Sequence, residues 1–336
     1  SGDPETRAYC DTAIRDGELA AGHDRETGDY NDFWAGRDLM NELDGIRAAT
    51  LMSHAFNDWN VMPEHSVKVY EYLNAAGVPS QVYFHQGGHG GPPPLELMNR
   101  WFTRYLYEVE NGVEDDPKAW IVRENADRSE PTPYPDYPNP ASAPVTLRPL
   151  AGGVQVGGLA LGEPQGQGAE TLVDNFSFSG ATLAQAEWTN HRLLYATPEL
   201  RRDVHISGTP TVTIRLASSA PSANLSVWLV SVPWPEGRTP LGGLITRGWA
   251  DPQNHSSLSE SEALEPGRFY DLTFELQPDD QIIPEGQRIG LMIFSSDREF
   301  TLWPPPGAEL TVDLDFTSLK IPVVGGEPVF REAVGG

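Results

Sequence analysis

The sequence predicts an α/β region followed by an all-β region, and three observations carry that prediction. Up to about residue 112, short apolar runs alternate with stretches of helical spacing. From about residue 117 the apolar runs shorten to period-two alternation between turn residues. Between the two, residues 131–138 place a proline at every second or third position, which neither a helix nor a central strand accepts. A chain of 336 residues, 39% hydrophobic, is long and apolar enough for one large domain or two ordinary ones.

Residues 38–43 lack Gly and Pro and predict a short helix that Gly45 stops. Residues 48–53 read as a buried strand, too short for an independent helix. Pro63 suits the first turn of a helix running to residue 76, with Gly77 as its stop and Val67, Tyr70 and Leu73 on one face. Residues 81–85 form a second short strand, and 87–94 a loop. Residues 95–110 form an amphipathic helix presenting Leu97, Trp101, Tyr105 and Leu106. Strand, helix, strand, helix is the grammar of a parallel sheet covered by helices. Residues 131–138 read as an extended connector. Beyond it, runs such as 211–216, 272–276 and 312–316 alternate apolar and polar residues, which predicts a β-sandwich of the jelly-roll kind. The expected division is 1–30, 31–115 and 116–336.

A formal charge of −25 repels phosphate backbones and argues against a nucleic-acid partner. No basic amphipathic stretch suits an anionic membrane surface, and no run approaches eighteen apolar residues, so no membrane association is expected. The negative field favours a cationic ligand such as a peptide amino terminus, although solubility alone accounts for it. Cys10 is the sole cysteine, which excludes an internal disulfide and a Cys-based zinc site. The opening residues Ser1-Gly2-Asp3-Pro4 have no signal-peptide character, and secreted and cytoplasmic settings both stay open.

Two motifs carry the chemistry. Asn57-Asp58-Trp59-Asn60 ends one apolar run and Gly87-Gly88-His89-Gly90 ends the next. Catalytic groups in open α/β sheets gather at the carboxyl ends of the strands, so adjacent parallel strands would bring Asp58 and His89 to one rim. An acid followed by an imidazole is the order that succeeds the nucleophile in an α/β-hydrolase. The expected core is therefore the C-terminal part of an α/β-hydrolase. No serine sits in a Gly-x-Ser-x-Gly setting, so the nucleophile is expected outside this chain. Taken singly, an Asp at a strand end is more often a cap and a His between glycines a loop residue; their conjunction in this order raises the catalytic reading. His85 and His89 have the i, i+4 spacing of a zinc pair, but Gly87-Gly88 at a strand end is not a helix, and no metal is expected. His23, His54, His65, His191, His205 and His255 are scattered singly and read as structural or surface residues.

Residues 24–34, Asn57-Asp58-Trp59-Asn60-Val61 and His85-Gln86-Gly87-Gly88-His89 closely resemble the bacterial Xaa-Pro dipeptidyl-peptidases. Arg247-Gly248-Trp249-Ala250 and Gly290-Leu291-Met292-Ile293 resemble the jelly-roll domain that closes such chains. The resemblance implies a serine exopeptidase with an α/β-hydrolase core, acting on proline-containing peptides and needing no cofactor. It implies Asp58 as triad acid, His89 as general base and Asn60 beside the bound amino-terminal residue. Residues 1–30 would end a helical insertion roofing the site, with Glu18 and Asp29 as candidates to hold the substrate ammonium. The nucleophile elbow, oxyanion-hole loop and much of the proline pocket have no counterpart here. This polypeptide alone is therefore expected to be inert, and a separate amino-terminal chain carrying the serine is an open partner, as is a second copy in a homo-oligomer. Two rivals stand beside this reading. One is an acyl-ester hydrolase of the cocaine-esterase type. The other is a non-catalytic β-sandwich binding module with Trp228, Trp234, Trp249 and Trp303 as an aromatic platform, although core packing suits those tryptophans better.

Overall fold

Parallel pairing organises the first region. In the computed structural model, which describes residues 2–235 and 242–335, β1 (Thr50–Ala55), β2 (Ser80–His85), β3 (Ala119–Ile121) and β4 (Thr132–Tyr134) form one sheet in that order. β1, β2 and β3 are parallel and β4 is antiparallel to β3. β2 is buried at all six positions, as a central strand covered on both faces must be. Helix α1 (Pro63–Ala75) makes the crossover from β1 to β2, with proline in its first turn and Gly77 at φ +71° just beyond its end. Its Val67, Tyr70 and Leu73 are buried as their spacing predicts, and Val67 and Tyr70 share a core with Phe56, Val82, Phe84 and Ile121.

Helix α2 (Leu95–Tyr107) stops three residues short of expectation, because Glu108 takes a left-handed conformation at φ +58°. Trp101 is its one buried residue among the four expected to face inward, and Leu106 is 70% exposed. At about 100° per residue, Leu106 stands about 140° around the helix from Trp101 and cannot share its face. The proline-rich connector contains β4, an edge strand on which Pro133 costs no central ladder bond. β3 and β4 lie beyond residue 115 yet belong to the first sheet, which runs on to Tyr134.

The second region is all β. Its strands are β5 (Ser142–Leu150), β6 (Gly157–Leu161), β7 (Ala169–Val173), β8 (Leu193–Ala196), β9 (Val204–Gly208) and β10 (Thr211–Ser218). They continue as β11 (Leu225–Val232), β12 (Leu244–Ala250), β13 (Phe269–Glu275), β14 (Asp279–Ile283), β15 (Arg288–Phe294) and β16 (Glu309–Val324). The pairing path is β12-β11-β15-β8-β6-β5-β16-β10-β13, with β7 and β9 also on β16 and β14 on β9. Val212, Ile214 and Leu216 of β10, and Leu310, Val312 and Leu314 of β16, point into one apolar core while their neighbours face outward. A terminal helix, Gly326–Val334, closes that core with Phe330 and Ala333.

Two sets of contacts fix the regions against each other. The helical residues 4–23 bury no side chain of their own. The segment after them is tied to the sandwich by Tyr30 N–H to Leu258 O at 2.7 Å and Asn254 Nδ2 to Asp29 Oδ1 at 2.9 Å. At the seam beneath the first sheet, Arg123 pairs with Asp280, and Gln86 Nε2 donates to Asp280 O at 2.7 Å. Tyr137 donates its hydroxyl to Asp279 O at 3.1 Å.

Candidate active site

The register that pairs Ala55 with His85 sets the carboxyl ends of β1 and β2 level. Asp58 lies three residues past one end and His89 four past the other. The two exit loops are zipped together by Phe56 N–H to His85 O at 2.9 Å, Asn57 N–H to Gly87 O at 3.2 Å and Asn57 Nδ2 to Gln86 O at 3.0 Å. His89 Nδ1 thereby comes within 2.8 Å of Asp58 Oδ2.

Asp58 is only 3% exposed, and each carboxylate oxygen is engaged. Oδ1 accepts the backbone N–H of Asn60 at 2.8 Å and of Val61 at 3.1 Å, so the side chain closes its own turn. Burial alone would raise its pKa. The N–H groups of Val61 and Asn60, together with His89, outweigh burial and hold the carboxyl below the ordinary aspartate value. An ionised carboxylate only accepts, so His89 carries its proton on Nδ1, which leaves Nε2 as the basic nitrogen. The His89 side chain is 61% exposed, open to an approaching group.

The loop bearing His89 is gripped from beneath. Ser53 Oγ donates to Gly91 O at 2.8 Å, and Gly87 N–H donates to His85 Nδ1 at 3.1 Å. Gly91 sits at φ +120°, and a Cβ there would stand 2.5 Å from Arg128 Nη1 and 2.7 Å from His85 Nε2, so only glycine fits. His85 is buried, and burial with the neighbouring Arg128 charge lowers its pKa to about 4, which keeps it neutral at ordinary pH. Its ring supports the loop. Among the described residues no group of three or more His, Cys, Asp or Glu is arranged to hold a metal.

The sequence reading missed His54. Its Nε2 is 3.0 Å from Val61 O and 3.4 Å from Asp58 Oδ2, and its Nδ1 is 2.5 Å from Ser66 Oγ. The signal was its position near the end of β1, four residues before Asp58. Of the other scattered histidines, His23 stacks on Trp34, His255 on Tyr270, and His205 bonds Asp280 at 2.8 Å. Asn60 is exposed on the turn that Asp58 closes. Glu18 pairs with Arg37 at 2.7 Å and Asp29 with Asn254, so both ammonium candidates already have protein partners.

The sandwich reaches this turn. The Arg247 guanidinium, 4% exposed, lies 4.4 Å from the Trp59 ring centroid and 4.2 Å from that of Phe300. Gln277 Oε1 accepts Glu64 N–H at 3.3 Å. Trp228 is buried, Trp228 and Trp249 both donate to Asp297 Oδ2, and Trp303 is 58% exposed and stacked on Phe176. Those tryptophans therefore do not form one exposed platform; two of them are bonded inward.

A parallel sheet with an Asp–His pair at neighbouring strand ends, followed by a β-sandwich, defines an α/β-hydrolase architecture. An aminopeptidase from a marine sediment Thaumarchaeota archaeon superposes with a TM-score of 0.73 at 16% identity, covering 95% of this chain and 61% of that one. A CocE/NonD family hydrolase from Staphylococcus aureus superposes with a TM-score of 0.69 at 16% identity, covering 94% of this chain and 61% of that one. At such identity these two likenesses speak for the fold alone. In sequence, residues 4–91 match the X-Pro dipeptidyl-peptidase (S15 family) and residues 111–327 match the X-Pro dipeptidyl-peptidase C-terminal non-catalytic domain. A Rhodopirellula baltica protein assigned as an Xaa-Pro dipeptidyl-peptidase is 59% identical over 97% of this chain and 52% of its own length. The chain belongs to the X-Pro dipeptidyl-peptidase family, and it spans about half the length of that relative.

Proposed function

We propose that this chain supplies the acid and the base of a serine exopeptidase that releases amino-terminal Xaa-Pro dipeptides. The nucleophilic serine and the oxyanion hole come from outside these residues. His89 Nε2 takes the serine hydroxyl proton as the oxygen attacks the carbonyl carbon of the proline itself, then passes it to the leaving amine of the next residue. Water repeats the cycle and releases the dipeptide from the acyl-enzyme. Asp58 holds the His89 tautomer and stabilises the imidazolium, while Asn60 contacts the substrate's first residue. Residues 1–30 roof the site, 31–115 together with β3 and β4 complete the catalytic region, and the sandwich that follows covers its flank.

The observation that supports this reading is the 2.8 Å bond between His89 Nδ1 and a buried carboxylate, at paired strand ends, in a chain of this family. In the full-length protein, Asp58→Asn is expected to keep the fold and lower turnover of an alanyl-prolyl anilide roughly 10⁴-fold. Near-normal turnover would overturn the assignment. Assaying p-nitrophenyl esters alongside separates the two hydrolase readings, since turnover of a simple acyl ester with none of the alanyl-prolyl anilide favours an esterase.

A further inference from the structure

We propose that His54 is a positioning residue for the acid–base pair, a role that rests on reading Asp58 and His89 as a hydrolase's acid and base. Val61 O can only accept, so the 3.0 Å contact places a proton on His54 Nε2. In the neutral ring Nδ1 then accepts the Ser66 hydroxyl proton, at 2.5 Å. The single Nε2–H is donated to Val61 O, and Asp58 Oδ2 stands 3.4 Å from the same nitrogen.

This arrangement links three elements. His54 belongs to β1, Ser66 to α1, and Val61 to the turn that Asp58 closes. Asp58 Oδ1 is held by two backbone N–H groups and Oδ2 lies between two imidazoles, His89 at 2.8 Å and His54 at 3.4 Å. Rotation of the carboxylate away from His89 would break contacts at both oxygens. The second imidazole also takes a share of the negative charge on Oδ2, and so moderates how strongly Asp58 stabilises the His89 imidazolium. The titratable and charged groups around the pair are His54 on β1, His85 at the end of β2, Arg128 beside the 87–91 loop, and Arg247 of β12, which packs on Trp59.

The test is steady-state kinetics of the full-length protein on an alanyl-prolyl anilide across pH. His54→Leu removes both ring nitrogens, and kcat is expected to fall roughly 10- to 100-fold with KM little changed. The acid limb of kcat/KM, which reports His89, should move to higher pH, because Asp58 then serves His89 alone. His54→Gln keeps a donor near the Nε2 position and should restore most of kcat and return the limb. A packing role alone would lower the melting temperature and leave the limb where it was. Should His54→Leu fail to fold, Ser66→Ala strips the Nδ1 partner with the ring in place; a smaller shift of the same sign is expected. An unmoved limb with full kcat in either variant overturns the proposal. Asp58→Asn run in parallel separates the two readings. If it is nearly inactive while His54→Leu behaves as wild type, only the role of His54 is lost; if it is fully active, the acid–base reading itself fails.

Discussion

Replacing Asp279 with asparagine should stabilise the protein, and more so as pH rises. Asp279 opens β14 at the seam between the two regions and is 3% exposed. Its Oδ1 accepts Asp280 N–H at 2.8 Å, whereas Oδ2 has no hydrogen-bond partner among the described residues. Burial first, and the adjacent Asp280 charge after it, raise the pKa well above the ordinary 3.8. The unfolded chain titrates near that ordinary value, so above it folding must take up a proton. The stability Asp279 contributes is therefore complete below about pH 4 and is lost as pH rises toward the native pKa, at about 1.4 kcal/mol per pH unit. Asparagine keeps the shape and the acceptor for Asp280 N–H but does not titrate. Urea unfolding followed by tryptophan fluorescence at a series of pH values gives the midpoint of each protein. The variant and wild type should agree at about pH 4 within a few tenths of a kcal/mol, then diverge with a slope approaching 1.4 kcal/mol per unit. A difference that stays flat across pH would refute the claim that this carboxyl is held protonated.

The remaining predictions concern the same seam and the loop beneath His89. His85 carries the opposite sign: its pKa falls from 6.5 to about 4, so its stability is whole above 6.5 and is lost as pH falls toward 4. That loss is on the order of 3 kcal/mol, and His85→Gln should flatten the acid side of a urea-midpoint against pH curve. Asp280→Ala leaves Arg123 with Glu124 as its one carboxylate partner and His205 without its carboxylate, and should cost about 3–5 kcal/mol by urea unfolding. The exposed Arg268–Glu265 pair is the control, since Glu265→Gln should leave the urea midpoint where it was.

Asp58 and His89 were legible because their placement depends on local facts, namely two short strands and a few residues beyond each. Parallel register then does the rest, pairing Ala55 with His85 without any long-range information. The same reasoning placed α1, whose buried face follows from Val67, Tyr70 and Leu73 at helical spacing. It overran α2, since Glu108 ends that helix in a left-handed conformation that nothing in its residue type announces. It passed over His54, whose contacts with Ser66 and Val61 exist only once the crossover helix packs beside β1. His205, Arg123 and Asp280 were equally silent, because 75 and 157 residues of chain separate the partners.

The turn carrying Asp58 is held from both regions, which bears on what the sandwich does. On the sheet side the turn is closed by Asn60 and Val61 and tethered by His54. On the other side Arg247 of β12 lies against both Trp59 and Phe300, whose ring centroids are 5.4 Å apart, and burial lowers its pKa only to about 10, so it stays charged. A buried cation is costly to leave without its aromatic neighbours, so Trp59 and Arg247 favour staying together. The carboxylate beside Trp59 thus has its position set jointly by the sheet that bears it and the sandwich that bears Arg247. A domain outside the Asp58–His89 pair can still determine where the Asp58 carboxylate sits.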